Sequence, residues 1–124
     1  MSGKNVVGLR DILAGAGGPG VVWTLEESGD LNANLVRFPA GDGVGEHVND
    51  EVDVLVLGVS GAGTVRVEGE EHALAEGTLV VIPRGTSRST RSDADDFAYL
   101  TVHHRRGPVR LGSKPESSGH GEER

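Results

Sequence analysis

The sequence predicts an all-β domain, a sandwich or barrel built from short strands. Several segments alternate apolar and polar residues with the period of two that a half-buried strand requires. Glycine or proline separates these segments, and the chain has 20 glycines among 124 residues, which favours tight turns over long helices. A chain of this length supports one hydrophobic core, so we expect a single domain.

The first half of the chain contains three predicted strands. Residues 22–26 are a short candidate strand, and residues 32–38 are another, which a proline at position 39 ends. Residues 52–57 are mostly valine and leucine, a strongly apolar run with the length of a strand. Only residues 9–13 have the pattern of a helical turn, and the glycine-rich segment 15–20 ends it.

The second half contains four more predicted strands. Residues 64–68 alternate cleanly, and a turn at residues 69–70 returns the chain through residues 72–74 as a β-hairpin. Residues 78–82 are apolar on both faces, which predicts a buried strand. Residues 97–104 form the last strong strand pattern. Many short strands at close spacing indicate a sandwich or barrel.

Composition divides the chain into three parts. Residues 1–20 are an N-terminal extension, and residues 21–111 contain all the strand patterns. Residues 112–124 consist of serine, glycine, glutamate, lysine and similar residues with nothing apolar to bury. We therefore expect a C-terminal tail that is disordered.

Charge and cysteine content exclude several classes of function. The chain carries 19 acidic against 12 basic residues, a net charge of −7, which disfavours binding to nucleic acid. No apolar run is long enough to span a bilayer, and no basic amphipathic segment suggests a membrane surface. The absence of cysteine excludes disulfides and thiolate metal sites, and with no signal-peptide core we expect a cytoplasmic protein.

Two spaced motifs resemble those of the cupin family. The first places a glycine, a histidine, an asparagine, an aspartate and a second glycine at fixed intervals: Gly41, His47, Asn49, Asp53 and Gly61. The second has the order Gly77, Pro83, Gly85 and Arg88. The resemblance covers residues 21–106 and implies a double-stranded β-helix, a jelly-roll barrel with an internal ligand pocket. It also implies a homodimer.

The resemblance also implies where metal ligands would lie, and most of those positions are changed. His47 occupies the first histidine position, whereas Asn49 occupies the second and Arg88 the third. Asp53 falls at the glutamate position, but its spacing to the following glycine is one residue longer than usual. Glu51 is therefore an alternative to Asp53.

Residue parity predicts that these side chains form one polar pocket. Positions 47, 49, 51 and 53 would all point the same way in an unbroken strand, while the opposite parity is nearly all valine, at Val48, Val52, Val54 and Val56. We expect His47, Asn49, Glu51 and Asp53 to face the barrel cavity and bind a small polar molecule. The alternative is a solvated strand face.

Arg88 decides between a metal site and a metal-free pocket. A guanidinium stays protonated and has no lone pair, so it cannot ligate a cation and would repel one. It can instead pair with Glu51 or Asp53. We therefore expect no metal cofactor; the alternative is a weakly bound divalent ion on His47, Asn49 and Asp53. Arg88 could also point to water, in a basic rim with its neighbouring arginines.

The remaining candidates are left open by the sequence. His103 and His104 are adjacent, so only one can face the cavity, and the pattern does not tell which. His72 follows a hairpin turn and is expected at the surface. Trp23, the single tryptophan, either stacks on a ligand or belongs to the core or a dimer interface, and the second is favoured.

Three functions fit these observations. The first is a non-enzymatic barrel that binds a small polar molecule. The second is a metal-dependent cupin enzyme, of the dioxygenase or isomerase type, with a remodelled ligand set. The third is a metal-free enzyme in which His47 acts as a general base. The sequence does not decide whether any reaction is catalysed, because a fold does not determine function.

Overall fold

A computed structural model describes residues 5–105, and that part of the chain contains one short helix and nine strands. The elements are α1 (Leu9–Gly15), β1 (Gly20–Thr24), β2 (Leu31–Phe38), β3 (Gly43–Val48), β4 (Val54–Ser60), β5 (Ala62–Val67), β6 (Glu70–Ala75), β7 (Leu79–Ile82), β8 (Ser87–Ser92) and β9 (Phe97–His104). The all-β prediction is confirmed. The expected tail at 112–124 lies outside the described residues.

The strands form two antiparallel sheets that face each other. A five-stranded sheet has the order β1-β2-β9-β4-β7, and a four-stranded sheet has the order β3-β8-β5-β6. From β2 onward the chain changes sheet at every connection except the β5–β6 hairpin. This alternation is the jelly-roll arrangement that the sequence resemblance implies.

Strands with local pairing signals match their predictions well. The predicted strand at 97–104 and β9 have the same bounds. The predicted hairpin is formed by β5 and β6, with its turn one residue earlier than the predicted turn at 69–70. Its turn contains Glu68 and Gly69, whose φ angles of 52° and 83° are the pair of positive values that a tight hairpin turn requires.

The prediction for β7 was wrong in one respect. Its apolar pattern predicts burial on both faces, but β7 is an edge strand that pairs only with β4 in its sheet. Leu79 and Val81 are 55% and 57% exposed on the outer face, whereas Val80 and Ile82 point inward. Among the described residues, no layer covers the outer face of the sheet here, since Leu55 of the central strand β4 is exposed beside Leu79 and Val81, and the apolar pattern alone does not reveal this.

The core lies between the sheets, and its aromatic residues lie towards the turn that joins β8 to β9. Its buried members are Val36, Val54, Val56, Val65, Leu74, Ile82, Phe97 and Tyr99. The Phe97 and Tyr99 rings lie 5.2 Å apart between centroids, and the Phe97 ring occupies the space beside Gly63, where even a Cβ atom would clash. We call this the closed end of the barrel.

The helix is held against the outside of the five-stranded sheet by arginine contacts. The Arg37 guanidinium donates to the carbonyl oxygens of Leu13 (3.0 Å) and Ala16 (2.7 Å). Cationic groups stabilise a helix C-terminus because carbonyls there lack helical partners. Arg10 also pairs with Glu76 in the β6–β7 turn. The predicted N-terminal extension is therefore attached to the barrel wall through these contacts.

The outer face of the five-stranded sheet is apolar. Leu55 in β4 adjoins the exposed Leu79 and Val81 of β7, and it is itself exposed. Contiguous exposed apolar side chains often mark an interface. The homodimer that the sequence resemblance implies stays a prediction. Within residues 5–105, no helix has the length and apolar character needed to cross a membrane.

Candidate functional site

Polar side chains line the inner faces of both sheets at the end of the barrel away from the β8–β9 turn. On the five-stranded sheet, Asn34 lies opposite Thr101, and Asn32 lies opposite His103. These positions share the inner face with Val36 and Tyr99 of the core, because alternate residues of a strand point the same way. All four polar side chains are only partly buried, so we call this region the open end.

Arg88 lies on the inner face of the four-stranded sheet and is only 7% exposed. Thr90 and Ser92 share this face of β8 with Arg88, and Ser92 is buried at the closed end. Arg91, on the opposite parity, is exposed and pairs with Asp93, with Nε 3.1 Å from Oδ1. The suggestion of one solvent-facing basic rim was therefore wrong, because successive residues of β8 point to opposite faces.

His47 is the direct neighbour of Arg88 across the β3–β8 pair. The Arg88 Nε–H donates to His47 Nε2 at 3.1 Å. The other ring nitrogen, Nδ1, lies 2.8 Å from the carbonyl oxygen of Gly45. A carbonyl only accepts, so Nδ1 carries the proton and Nε2 offers its lone pair to the guanidinium. The two contacts specify one neutral tautomer of His47.

Asn49 forms a turn and does not extend the strand. Its side-chain Oδ1 accepts from the backbone N–H groups of Glu51 (2.8 Å) and Val52 (3.3 Å). Its backbone carbonyl accepts from Gly85 at 2.7 Å. Asn and Asp commonly make such side-chain bonds to the backbone two or three residues ahead. The expectation of an unbroken strand through residues 47–53 was therefore wrong.

The same turn breaks the strand between His47 and residues Glu51 and Asp53. Their shared parity in the sequence therefore does not place them on one face. Residues 49–53 carry the chain from one sheet to the other, and β4 begins with Val54 facing the core. Asp53 is exposed, and its Oδ1 accepts the Arg84 backbone N–H at 2.8 Å. Glu51 is also exposed. The structure thus places His47 beside Arg88, and it does not place all five predicted residues on one strand face.

These side chains do not fit a divalent metal. His47 Nε2 accepts from Arg88, Asn49 Oδ1 accepts from two amides, and Asp53 Oδ1 caps a backbone N–H. Among residues 5–105, no group of three histidine, aspartate or glutamate side chains converges to hold an ion. The buried guanidinium of Arg88 adds a fixed positive charge beside the single retained histidine.

A hydrogen bond between Thr90 and Tyr99 joins the two sheets below the open end. The Thr90 hydroxyl lies 3.0 Å from the Tyr99 hydroxyl, and one residue comes from each sheet. Burial raises the pKa of Tyr99 above that of an exposed tyrosine, and the Thr90 hydrogen bond opposes the shift. The bond lies within the core, because Val54 and Val56 of β4 are buried beside His103 and Thr101 on its open-end side.

Tyr99 should therefore ionise late in an alkaline titration. The folded state holds the phenol proton more tightly, so the contribution of Tyr99 to the free energy of unfolding is intact below pH of about 10 and falls as pH rises through its folded pKa. Tyr99 is the single tyrosine, so tyrosinate absorbance reports it alone. Thr90→Val should move the transition further upward. Full ionisation centred near pH ~10 with the near-UV circular dichroism intact would contradict this assignment.

The sequence reasoning missed the polar residues of the five-stranded sheet. Asn32 and Asn34 lie in a predicted strand, where they alternate with Ala33 and Leu35. Only the register shows that the asparagines, not the apolar residues between them, share the inner face. His103 is the inward histidine of its pair, and His104 is exposed on the opposite face.

Two other candidates lie away from the open end. His72 is exposed, as expected, and lines a groove of about 670 Å³ along β6 and β7. Trp23 pairs with Leu35, whose side chain points to the outer face of the five-stranded sheet. This position favours a packing or interface role for Trp23 over stacking on a ligand in the cavity.

Comparisons with known proteins identify relatives of this architecture. A family model described as Cupin domain matches residues 34–103. Among solved structures, KdgF from Halomonas sp. is 26% identical, with 68% of this chain and 77% of that chain covered and a TM-score of 0.64. A conserved protein of unknown function from Streptococcus pyogenes is 25% identical, covering 68% and 73%, with a TM-score of 0.59.

A protein from Bacillus halodurans shares the fold at lower identity. It is 16% identical, 83% of each chain is covered, and the TM-score is 0.70. No curated protein matches the sequence.

Proposed function

The chain belongs to the cupin family, and from this premise we propose that it is a metal-free barrel that binds a small polar molecule carrying a carboxylate. One observation carries the proposal. Arg88 is buried on the inner face of the barrel, beside His47, where the resemblance would place an imidazole ligand. The ligand would enter at the open end.

A buried guanidinium is suited to a carboxylate. Arginine presents a planar fork of N–H donors that matches the two oxygens of a carboxylate. Removal from bulk water strengthens the attraction between unlike charges. The Nε–H of Arg88 is directed at His47, and this contact holds the guanidinium in one orientation. An oriented cation loses less conformational entropy when the anion binds.

The same contacts argue against the two enzymatic alternatives. A metal-dependent oxygenase or isomerase needs several ligands that converge on one point, and the described side chains at positions 47, 49 and 53 have other partners. A metal-free enzyme with His47 as base needs the lone pair of Nε2, which already accepts from Arg88. Binding requires neither a metal nor a free base.

A thermal-shift experiment on the full-length, untagged protein tests the proposal. Hexanoate and gluconate, two six-carbon carboxylates, should be compared with sorbitol, which has no carboxylate. At least one acid should raise the Tm by about 4 °C or more, since each kcal/mol of binding free energy shifts a domain of this size by about 4–8 °C. Elemental analysis of the same preparation should show far less than one transition-metal ion per chain.

Three variants of β8 distinguish a specific site from a general charge effect. Arg88→Met should abolish the response to the acids, and Arg88→Lys should weaken it because the fork is lost. Arg91→Met is the matched control: the same substitution on the same strand, on the exposed outer face. An unchanged response in Arg88→Met, or a stoichiometric metal that depends on His47, would overturn the proposal.

A further inference from the structure

A directed chain of side-chain hydrogen bonds runs along the inner face of the five-stranded sheet. The Thr24 hydroxyl donates to Asn34 Oδ1 at 2.7 Å. The Asn34 amide nitrogen then donates to Asn32 Oδ1 at 2.9 Å. Thr24 is opposite Asn34 in the β1–β2 register, so all three side chains lie on one face. We call these three residues the amide relay.

The direction of the relay determines what it offers to a ligand. Both amide oxygens accept hydrogen bonds from within the relay. A primary amide has two N–H bonds, so Asn34 keeps one and Asn32 keeps two. The end of the relay therefore presents hydrogen-bond donors to the open end.

His103 places an acceptor beside these donors. It lies directly opposite Asn32 in the β2–β9 register, and side chains in that relation are about 5 Å apart at Cβ. His103 Nδ1 lies 2.9 Å from the carbonyl oxygen of His104. Nδ1 must therefore carry the proton in the neutral ring, and Nε2 retains a lone pair. A ligand hydroxyl can accept from Asn32 and donate to His103.

The Thr90–Tyr99 bond relates this pair to Arg88 across the barrel. β8 runs towards the closed end and β9 runs away from it. Moving two residues from the bond towards the open end reaches Arg88 on one wall and Thr101 on the other, with His103 two residues further. Facing sheets lie about 10 Å apart, so hydrogen-bonding groups on the two walls can reach the two ends of one ligand of about six carbons.

We propose that Asn32 and His103 form a hydroxyl-binding subsite, so that the ligand is a polyhydroxy carboxylic acid. Its carboxylate binds at Arg88 and its distal hydroxyl groups bind at Asn32 and His103. This assignment rests on the proposed function, since it takes the carboxylate at Arg88 as its starting point. An alkyl acid would bury the amide and imidazole without partners, and that loss penalises its binding.

Gluconate and hexanoate test the subsite on the unmodified protein. Both are six-carbon monocarboxylates, and they differ in the hydroxyl groups. By isothermal titration calorimetry at equal ionic strength, gluconate should bind about tenfold more tightly or better. If hexanoate binds as tightly as gluconate, the hydroxyl subsite is excluded while carboxylate binding at Arg88 stands. If neither acid binds, the proposed function itself fails.

Single substitutions identify the residues that distinguish gluconate from hexanoate. Asn32→Leu keeps the side-chain volume and removes the donors, and His103→Ala removes the acceptor. Each should weaken gluconate about tenfold and leave hexanoate unchanged. His104→Ala is the matched control, because it removes the adjacent histidine on the opposite, exposed face; it should change neither affinity. Equal weakening of both acids by Asn32→Leu and His103→Ala would overturn the subsite.

Discussion

Phe97→Ala should lower the free energy of unfolding by about 3–5 kcal/mol, the usual cost of removing a large aromatic side chain from a core. Phe97 is fully buried. Its ring packs on Tyr99 and fills the space beside Gly63. Because β5 and β9 belong to different sheets, the ring is a direct contact between the two layers. Neither backbone can move into the vacated space without disturbing its own sheet.

Urea unfolding followed by far-UV circular dichroism measures this loss. Leu79→Ala is a suitable control, because it also removes apolar atoms from a strand but at a position that is 55% exposed. That control should cost under ~1 kcal/mol. A similar small loss for Phe97→Ala would mean that the closed end repacks around the cavity, and the packing described here would be incorrect.

Gly58→Ala should cost about 3 kcal/mol, at the upper end of overpacking effects. A Cβ atom at this position would lie 2.0 Å from the carbonyl oxygen of Ala75. Hydrogen bonds prevent a simple displacement of the backbone. The Gly58 N–H donates to the Thr78 carbonyl oxygen at 2.8 Å, and the Gly58 carbonyl oxygen accepts from the Gly77 N–H at 2.9 Å. A methyl group here must therefore move the backbone of β4 or of the β6–β7 turn.

Gly45→Ala provides the matched control for that substitution. Gly45 also lies in a strand, but a Cβ atom there would have no neighbour within 4 Å. Its stability should stay within ~0.5 kcal/mol of the parent. Thermal unfolding of both variants under one set of conditions distinguishes the steric effect from the general effect of replacing glycine. Equal Tm values for the two variants would show that there is unoccupied space between Gly58 and Ala75.

Elements whose signals are local could be predicted from the sequence. Strand β9 begins with a run of apolar and aromatic residues, and the β5–β6 hairpin has a glycine turn between two alternating segments. Each depends on residues close together in the chain. The motif resemblance supplied the jelly roll, because its glycines and proline mark turns between strands.

Positions that depend on the sheet to which a strand belongs could not be predicted. Parity arguments for residues 47–53 require one continuous strand, but β3 and β4 lie in different sheets. The same limit applies to β7, whose apolar pattern suits both a central strand and an edge strand. Strand order is a long-range property, and periodicity within one segment does not contain it.

The candidate site was partly predictable for the same reason. The motif spacing identified His47 and Arg88, and the structure shows that they are cross-strand neighbours. Asn32 and His103 had no such spacing, because their proximity follows from the pairing of β2 with β9. An asparagine that alternates with apolar residues has the same pattern on a solvent face and on a polar inner face.

The separation of the closed end from the open end bears on how readily this barrel could acquire new specificities. The tightly packed contacts at Gly63 and Phe97 lie at one end, and Asn32, Asn34 and His103 lie at the other, partly exposed to water. Substitutions in the second group leave the first group's contacts intact. Laboratory evolution that randomises only the open-end positions should therefore yield mostly folded libraries, in which ligand choice varies while the scaffold does not.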